Sequence, residues 1–90
     1  MKLRFGLLVL ILPVLISCGS SKEREEQHLE KAKLFFKDQN QEKTRVELKN
    51  VLQINPKNVD AIYLMALLSE KDQDWPKMYG YLTSIITEKP

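Results

Sequence analysis

Few side chains in this chain could do chemistry. Cys18 is the only thiol and His28 the only imidazole in 90 residues. A single cysteine excludes an intramolecular disulfide. Glu25 and Glu26 are paired in sequence, but neighbouring residues on a helix point apart, so they make a poor acid–base pair. No metalloprotease, nucleophile-elbow, phosphate-loop or dinucleotide motif occurs. Catalysis needs several such groups held together, and none of the spacings here supplies that. The expectation is a protein that is not an enzyme, with no cofactor and no metal. The one chemically singular residue is Cys18, and its chemistry depends on what precedes it.

Met1 to Arg4 is a short basic start, Phe5 to Ile16 is an apolar run, and Ser17-Cys18-Gly19 follows. A basic segment, about 7–15 apolar residues and small residues at a cut site describe a secretory signal. The run falls short of the roughly 18 apolar residues expected of a spanning helix, and Pro13 interrupts it. An uncleaved anchor is the alternative, and an ordinary cleavage leaving Cys18 as a free or buried thiol is another. Leu15-Ile16-Ser17-Cys18 resembles the bacterial lipoprotein box. In that family the thiol receives a diacylglyceryl group and cleavage makes the cysteine residue one. The resemblance implies a signal peptide over 1–17, lipid on Cys18 and a linker over 18–21. Two or more acyl chains hold a protein stably on a bilayer, where one holds it marginally. Gly19 stands where an Asp would imply inner-membrane retention. The expected place is therefore the cell envelope, at the outer membrane and facing the periplasm.

The formal charge is +2. Losing Lys2 and Arg4 with the leader leaves twelve of the 14 basic residues against 12 acidic ones. Nucleic-acid binding needs a basic patch or stripe. Here Lys and Glu alternate, as on a solvated helix face, so no nucleic-acid partner is expected.

The elements that must position any binding surface are helical. Ser20 with Glu23 fits a capping box, and a first helix runs from there to about Lys37. Leu29, Ala32 and Phe36 form its apolar stripe, widened by Leu34 and Phe35. Asp38 to Gln41 is a turn. A second helix covers about Glu42 to Ile54, with Leu48, Val51, Leu52 and Ile54 inward and Lys43, Arg45, Glu47 and Lys49 outward. Asn55-Pro56 ends it. Asn58 caps a third helix. From Ala61 to Leu68 the only polar side-chain atom is the Tyr63 hydroxyl, the pattern of a helix covered on more than one side. Asp74 caps a fourth helix, with Pro76 tolerated in its first turn, and Met78, Leu82, Ile85 and Ile86 face inward.

Lys37-Asp38-Gln39-Asn40 returns as Lys71-Asp72-Gln73-Asp74. The offset is about 34 residues, a length at which a fixed period marks a helical-pair repeat. The same offset places Ala32 on Ala66, Leu34 on Leu68, Leu48 on Leu82 and Pro56 on Pro90. On these residues 25–90 resemble two tetratricopeptide repeats, about 25–58 and 59–90. Ala32 and Ala66 match the family's small position, Leu48 and Leu82 its bulky one, Trp75 its aromatic, and Pro56 and Pro90 its closing proline. Thr44, Met78, Val51 and Ile85 depart from small positions, and Gln41 replaces the first aromatic. The resemblance implies an all-α fold of two antiparallel helix pairs from an α-solenoid. It also places His28 and Trp75 as packing residues.

The wording from Val46 to Pro56 is similar to the first repeats of large tetratricopeptide lipoproteins, including those linked to exopolysaccharide and PEP-CTERM export. The implied function is a membrane-tethered scaffold that binds a protein or peptide on a concave face. Its lining residues, by resemblance, are Glu26, Leu29, Lys33, Phe36 and Lys37 on the first helix, and Asp60, Tyr63, Leu67, Glu70 and Lys71 on the third. The clamp with which chaperone-binding relatives hold a terminal carboxylate is not reproduced, because Leu29 and Lys33 stand where it begins. Alternatives are a structural part of an envelope or export complex, or the amino-terminal piece of a longer lipoprotein. Self-association, or further repeats after Pro90, would cover the last helix.

Overall fold

The computed structural model describes residues 20–88. Cys18, the apolar leader and Pro90, which carry the lipid and closing-proline expectations, lie outside the described residues. The chain forms α1 (Ser21–Lys37), α2 (Gln41–Ile54), α3 (Val59–Lys71) and α4 (Trp75–Glu88), with no strand among the described residues. α1 packs on α2 and α3 on α4 as antiparallel pairs, and α2 joins the pairs by packing on α3.

Each helix opens on a side-chain cap. Ser20 Oγ accepts from the Glu23 N–H at 3.0 Å and Asn40 Oδ1 from Lys43 at 3.2 Å. Asn58 Oδ1 accepts from Ala61 at 2.9 Å and Asp74 Oδ1 from Lys77 at 3.3 Å. Such a cap satisfies one otherwise open amide and contributes about 1 kcal/mol. Three of these caps follow from the sequence pattern. The fourth, Asn40, falls within the expected turn; because it caps α2, that helix begins at Gln41 rather than Glu42. Ser21 likewise belongs to α1 rather than to the linker.

The two turns inside the pairs have the same hydrogen bonds at equivalent repeat positions. Gln39 N–H donates to Phe36 O and Asn40 N–H to Phe35 O. Gln73 N–H donates to Glu70 O and Asp74 N–H to Ser69 O. These are paired Schellman closures, which need a left-handed residue just past the helix. Gln39 and Gln73 supply it, at φ 62° and 59°. The repeated sequence word is thus a repeated backbone structure.

One apolar cluster runs through three helices: Ala32 of α1, Leu48 and Val51 of α2, and Ala61, Met65 and Leu68 of α3. α3 is the most enclosed helix, as its sequence implies, with Ile62, Ala66 and Ser69 also buried. Thr44 replaces a small residue yet is fully buried, because its hydroxyl donates to Asn40 O at 2.7 Å. The Ser69 hydroxyl does the same to Met65 O at 3.0 Å.

Four expectations are corrected. Leu34 widens no buried stripe and is 61% exposed, because among the described residues α1 packs on α2 through another side. Trp75 is 53% and Ile86 72% exposed, so neither belongs to the core. With Tyr79 they fall within about 40° on the helical wheel, turned from the α3-facing side of α4. Glu47 does not face water freely; it meets His28 across the α1–α2 seam.

The left-handed glutamines generate a prediction. An L-residue in that region costs roughly 1–2 kcal/mol, which glycine avoids at some cost in unfolded-state entropy. Gln39→Gly and Gln73→Gly should each raise stability by about 0.5–1 kcal/mol. Gln39→Val, branched at Cβ, should lower it. Thermal or urea midpoints check this, and a destabilising glycine at both sites would contradict the turn geometry.

Candidate functional site

The expected interaction residues lie on α1 and α3, the first helices of the two pairs. The structure brings some of them together. Lys33 Nζ lies 3.7 Å from Asp60 Oδ2, linking α1 to α3. Both groups are well exposed, so the pair is weak and available to other partners. Tyr63 and Leu64 complete a small recess beside it, about 190 Å³ in volume. Farther along the same two helices, Lys71 Nζ sits 5.6 Å above the centre of the Phe36 ring. The shared face thus offers two ammonium groups, a carboxylate, a half-exposed phenol and a partly buried ring. A solvated cation–π contact adds about 0.5–1 kcal/mol.

Other expected residues are placed differently. Leu29 and Phe36 pack against the core, so their contribution is mainly to the fold. Leu67 is half-buried; Lys37 and Glu70 are exposed. Glu26 lies beside Glu23, Gln27 and Glu30 in a shallow depression of α1, away from the Lys33–Asp60 cluster.

Three polar links escaped sequence reasoning. His28 Nδ1 and Glu47 Oε1 are 2.6 Å apart, joining α1 to α2. His28 therefore serves the seam by a hydrogen bond rather than by packing alone. Arg45 Nη2 donates to Asp72 Oδ2 at 2.9 Å, tying α2 to the turn between α3 and α4. Beside it runs a crevice of about 230 Å³ floored by Met65, Leu68 and Tyr81. The third link is a lock on the loop between the pairs. Glu25 Oε2 accepts from Asn58 Nδ2 at 2.6 Å and from Asn55 Nδ2 at 2.8 Å. Each asparagine turns its other amide atom to the backbone: Asn55 Oδ1 accepts from Lys57 N–H, and Asn58 Oδ1 caps α3. The proline-proximal asparagines were legible as breaker and cap. Their shared acceptor lies far back on α1 and had no local signal.

These two amide donors hold the Glu25 carboxyl below its ordinary value of 4.5; Asn58 contributes most, Asn55 next, and Lys22 least. Partial desolvation opposes them without reversing the direction. No buried side-chain polar atom lacks a partner among the described residues. Nor does any cluster of three His, Cys, Asp or Glu there form a metal site. Among the described residues no helix is long and apolar enough to cross a membrane.

A carboxyl with a lowered folded-state pKa stabilises the fold above its unfolded value and loses that contribution as pH falls through the folded one. The Glu25 lock should therefore be intact at neutral pH and fade below about 4.5. Glu25→Ala should cost about 1 kcal/mol at pH 7, and the penalty should shrink towards pH 3. Urea titrations at several pH values check this; a penalty constant down to pH 3 would contradict the lock.

No protein-family description, no curated protein and no solved structure matches this chain.

Proposed function

We propose that the chain is a membrane-tethered helical-repeat scaffold, tetratricopeptide-like, that holds a segment of another protein on the face shared by α1 and α3. The observation that supports this most is the duplicated turn: one closure and cap, made twice at equivalent repeat positions, sets two helix pairs in series. Repeated helix pairs align their first helices along one face, a geometry suited to extended segments. On that face Lys33, Asp60, Tyr63 and Lys71 offer side chains of both charges and a phenol. A segment with alternating charge and one aromatic or aliphatic anchor would complement them. No catalytic activity is proposed.

The tether is part of the same reading. Leu15-Ile16-Ser17-Cys18 supports a lipid-modified Cys18 in a bacterial envelope, and Gly19 favours the outer membrane. With α1 starting at Ser21, only two residues would separate the lipid from the first turn, an extended span of roughly 10 Å. The α1–α3 face would then work close to the bilayer. The wording from Val46 to Pro56 supports an export-associated setting, in which the chain is a structural part of a larger envelope complex.

Two experiments test this. Metabolic labelling with a palmitate analogue should mark the protein, and Cys18→Ala should abolish the label while precursor accumulates; equal labelling of that variant would end the lipid reading. A photoreactive phenylalanine in place of Tyr63 should capture a discrete envelope protein, whereas the same group at Gln53, exposed on α2, should not. Lys33→Glu should reduce the Tyr63 adduct. Identical adducts from both positions would remove the α1–α3 face from the proposal.

A further inference from the structure

The crevice beside the Arg45–Asp72 bond lies apart from the α1–α3 face. α2 supplies Arg45 and Lys49 to its walls, the turn between α3 and α4 supplies Asp72 and Asp74, and α4 supplies Lys77. Met65 and Leu68 of α3 and Tyr81 of α4 form the floor. None of these residues belongs to the Lys33–Asp60 cluster.

The charges around it are unevenly spent. Asp72 accepts from Arg45 Nη2 at 2.9 Å, and Asp74 Oδ1 accepts from the Lys77 backbone N–H as the cap of α4. Both carboxylates are thus engaged. Lys49 and Lys77 form no ion pair among the described residues. A guanidinium carries five N–H donors; Arg45 gives one to Asp72, a bond that orients the group at the crevice wall and leaves the others open. Three cations against two carboxylates leave one unbalanced positive charge at the crevice, which a single carboxylate on a ligand would neutralise.

The floor adds a second requirement. Met65 and Leu68 are buried, and Tyr81 is half-buried at the edge of the core. An inorganic anion would meet the cations and leave this floor wet. A hydrocarbon would cover the floor and draw the ammonium groups out of water unpaired, which is costly. A molecule with a carboxylate at one end and an apolar body at the other satisfies both. Size narrows the class further. A water molecule takes up about 30 Å³ of liquid, so 230 Å³ holds roughly eight heavy atoms. Pockets for larger ligands begin near about 300 Å³, so a nucleotide or a run of peptide would not fit.

We propose that this crevice binds a small organic monocarboxylate with a compact aromatic or branched aliphatic body. The fork of Arg45, oriented by Asp72, takes the carboxylate oxygens. Lys49 and Lys77 add positive charge at the mouth, and the body lies on Met65, Leu68 and Tyr81. Because the walls come from both helix pairs, the ligand bridges the seam and stabilises the folded chain by binding it alone. The site is independent of the α1–α3 partner, since it uses none of that face.

The test uses the full chain in mild detergent, isotopically labelled for amide-resolved NMR, with benzoate as the ligand. The shifts should saturate with a Kd of about 1 mM or lower, within reach of a ligand this small. The largest should fall on Arg45, Lys49, Ser69 and Tyr81, which line the crevice. Benzyl alcohol, which lacks the charge, and acetate, which lacks the body, should each bind roughly tenfold more weakly. Arg45→Lys keeps the charge but not the fork and should weaken benzoate roughly tenfold. Lys49→Gln, at an exposed position, should weaken it several-fold with the helical circular dichroism unchanged. Shifts that do not saturate, or that spread over surface lysines away from the crevice, would overturn the proposal. So would benzyl alcohol or acetate binding as tightly as benzoate, or unchanged affinity in both variants. Loss of Tyr63 adducts alone would count against the functional reading and leave this site intact.

Discussion

The structure depends on a turn of three residues between antiparallel helices, made twice. Reversing an α-helix that tightly leaves carbonyls of its last turn open, and the economical closure puts one residue in the left-handed region. Gln39 and Gln73 accept that conformation, and the next residue caps the following helix. Capping and closure are thus fused in Asp-Gln-Asn and Asp-Gln-Asp. Because both ends of the turn are fixed by hydrogen bonds, the angle between the helices of a pair is set locally. The apolar cluster then only has to fill a space already defined. Ala32 of α1, fully buried, is the small side chain that lets α2 approach.

The angle between the pairs rests on the buried α2–α3 packing together with long-range polar links, beyond the local Asn55 bonds of the loop. Pro56 breaks α2 but does not dictate where α3 goes. Glu25 does so by gripping the two asparagines that end α2 and begin α3. Arg45 and Asp72 do the same from the opposite end of the seam. With the Leu48, Val51, Ala61 and Met65 packing between them, the seam is held on both flanks. The α1–α3 face therefore has a defined shape, with Lys33 and Asp60 across it.

Most of the helices were legible because their signals are local: the caps at Ser20, Asn58 and Asp74, the Asn55-Pro56 break, and an offset that aligns two turn words. The turn itself was legible as a repeat but not as a conformation, since Gln has no special preference for positive φ and is held there by the closing hydrogen bonds on either side. His28–Glu47 and the Glu25 lock were illegible for another reason. Their partners are 19, 30 and 33 residues apart, and nothing in composition pairs them. Leu34, Trp75 and Ile86 misled because hydrophobicity marks what is suited to burial, not what a given helix has neighbours to bury. Of the residues expected to bind a partner, Lys33, Asp60 and Tyr63 meet across α1 and α3, Phe36 and Lys71 meet farther along, and Glu26 stands apart.

α1, α2 and α3 each contribute fully buried side chains, whereas no described side chain of α4 is fully buried. α4 reaches the core cluster mainly through Tyr81, whose ring packs at its edge. Helical stability in short segments comes chiefly from such packing rather than from propensity, and Gly80 near the middle of α4 lowers propensity further. Local opening should therefore begin in α4 and travel inwards, leaving the α1–α2 pair and α3 as the most protected unit. The face shared by α1 and α3 lies wholly within that unit. Loosening of α4 therefore disturbs that face least.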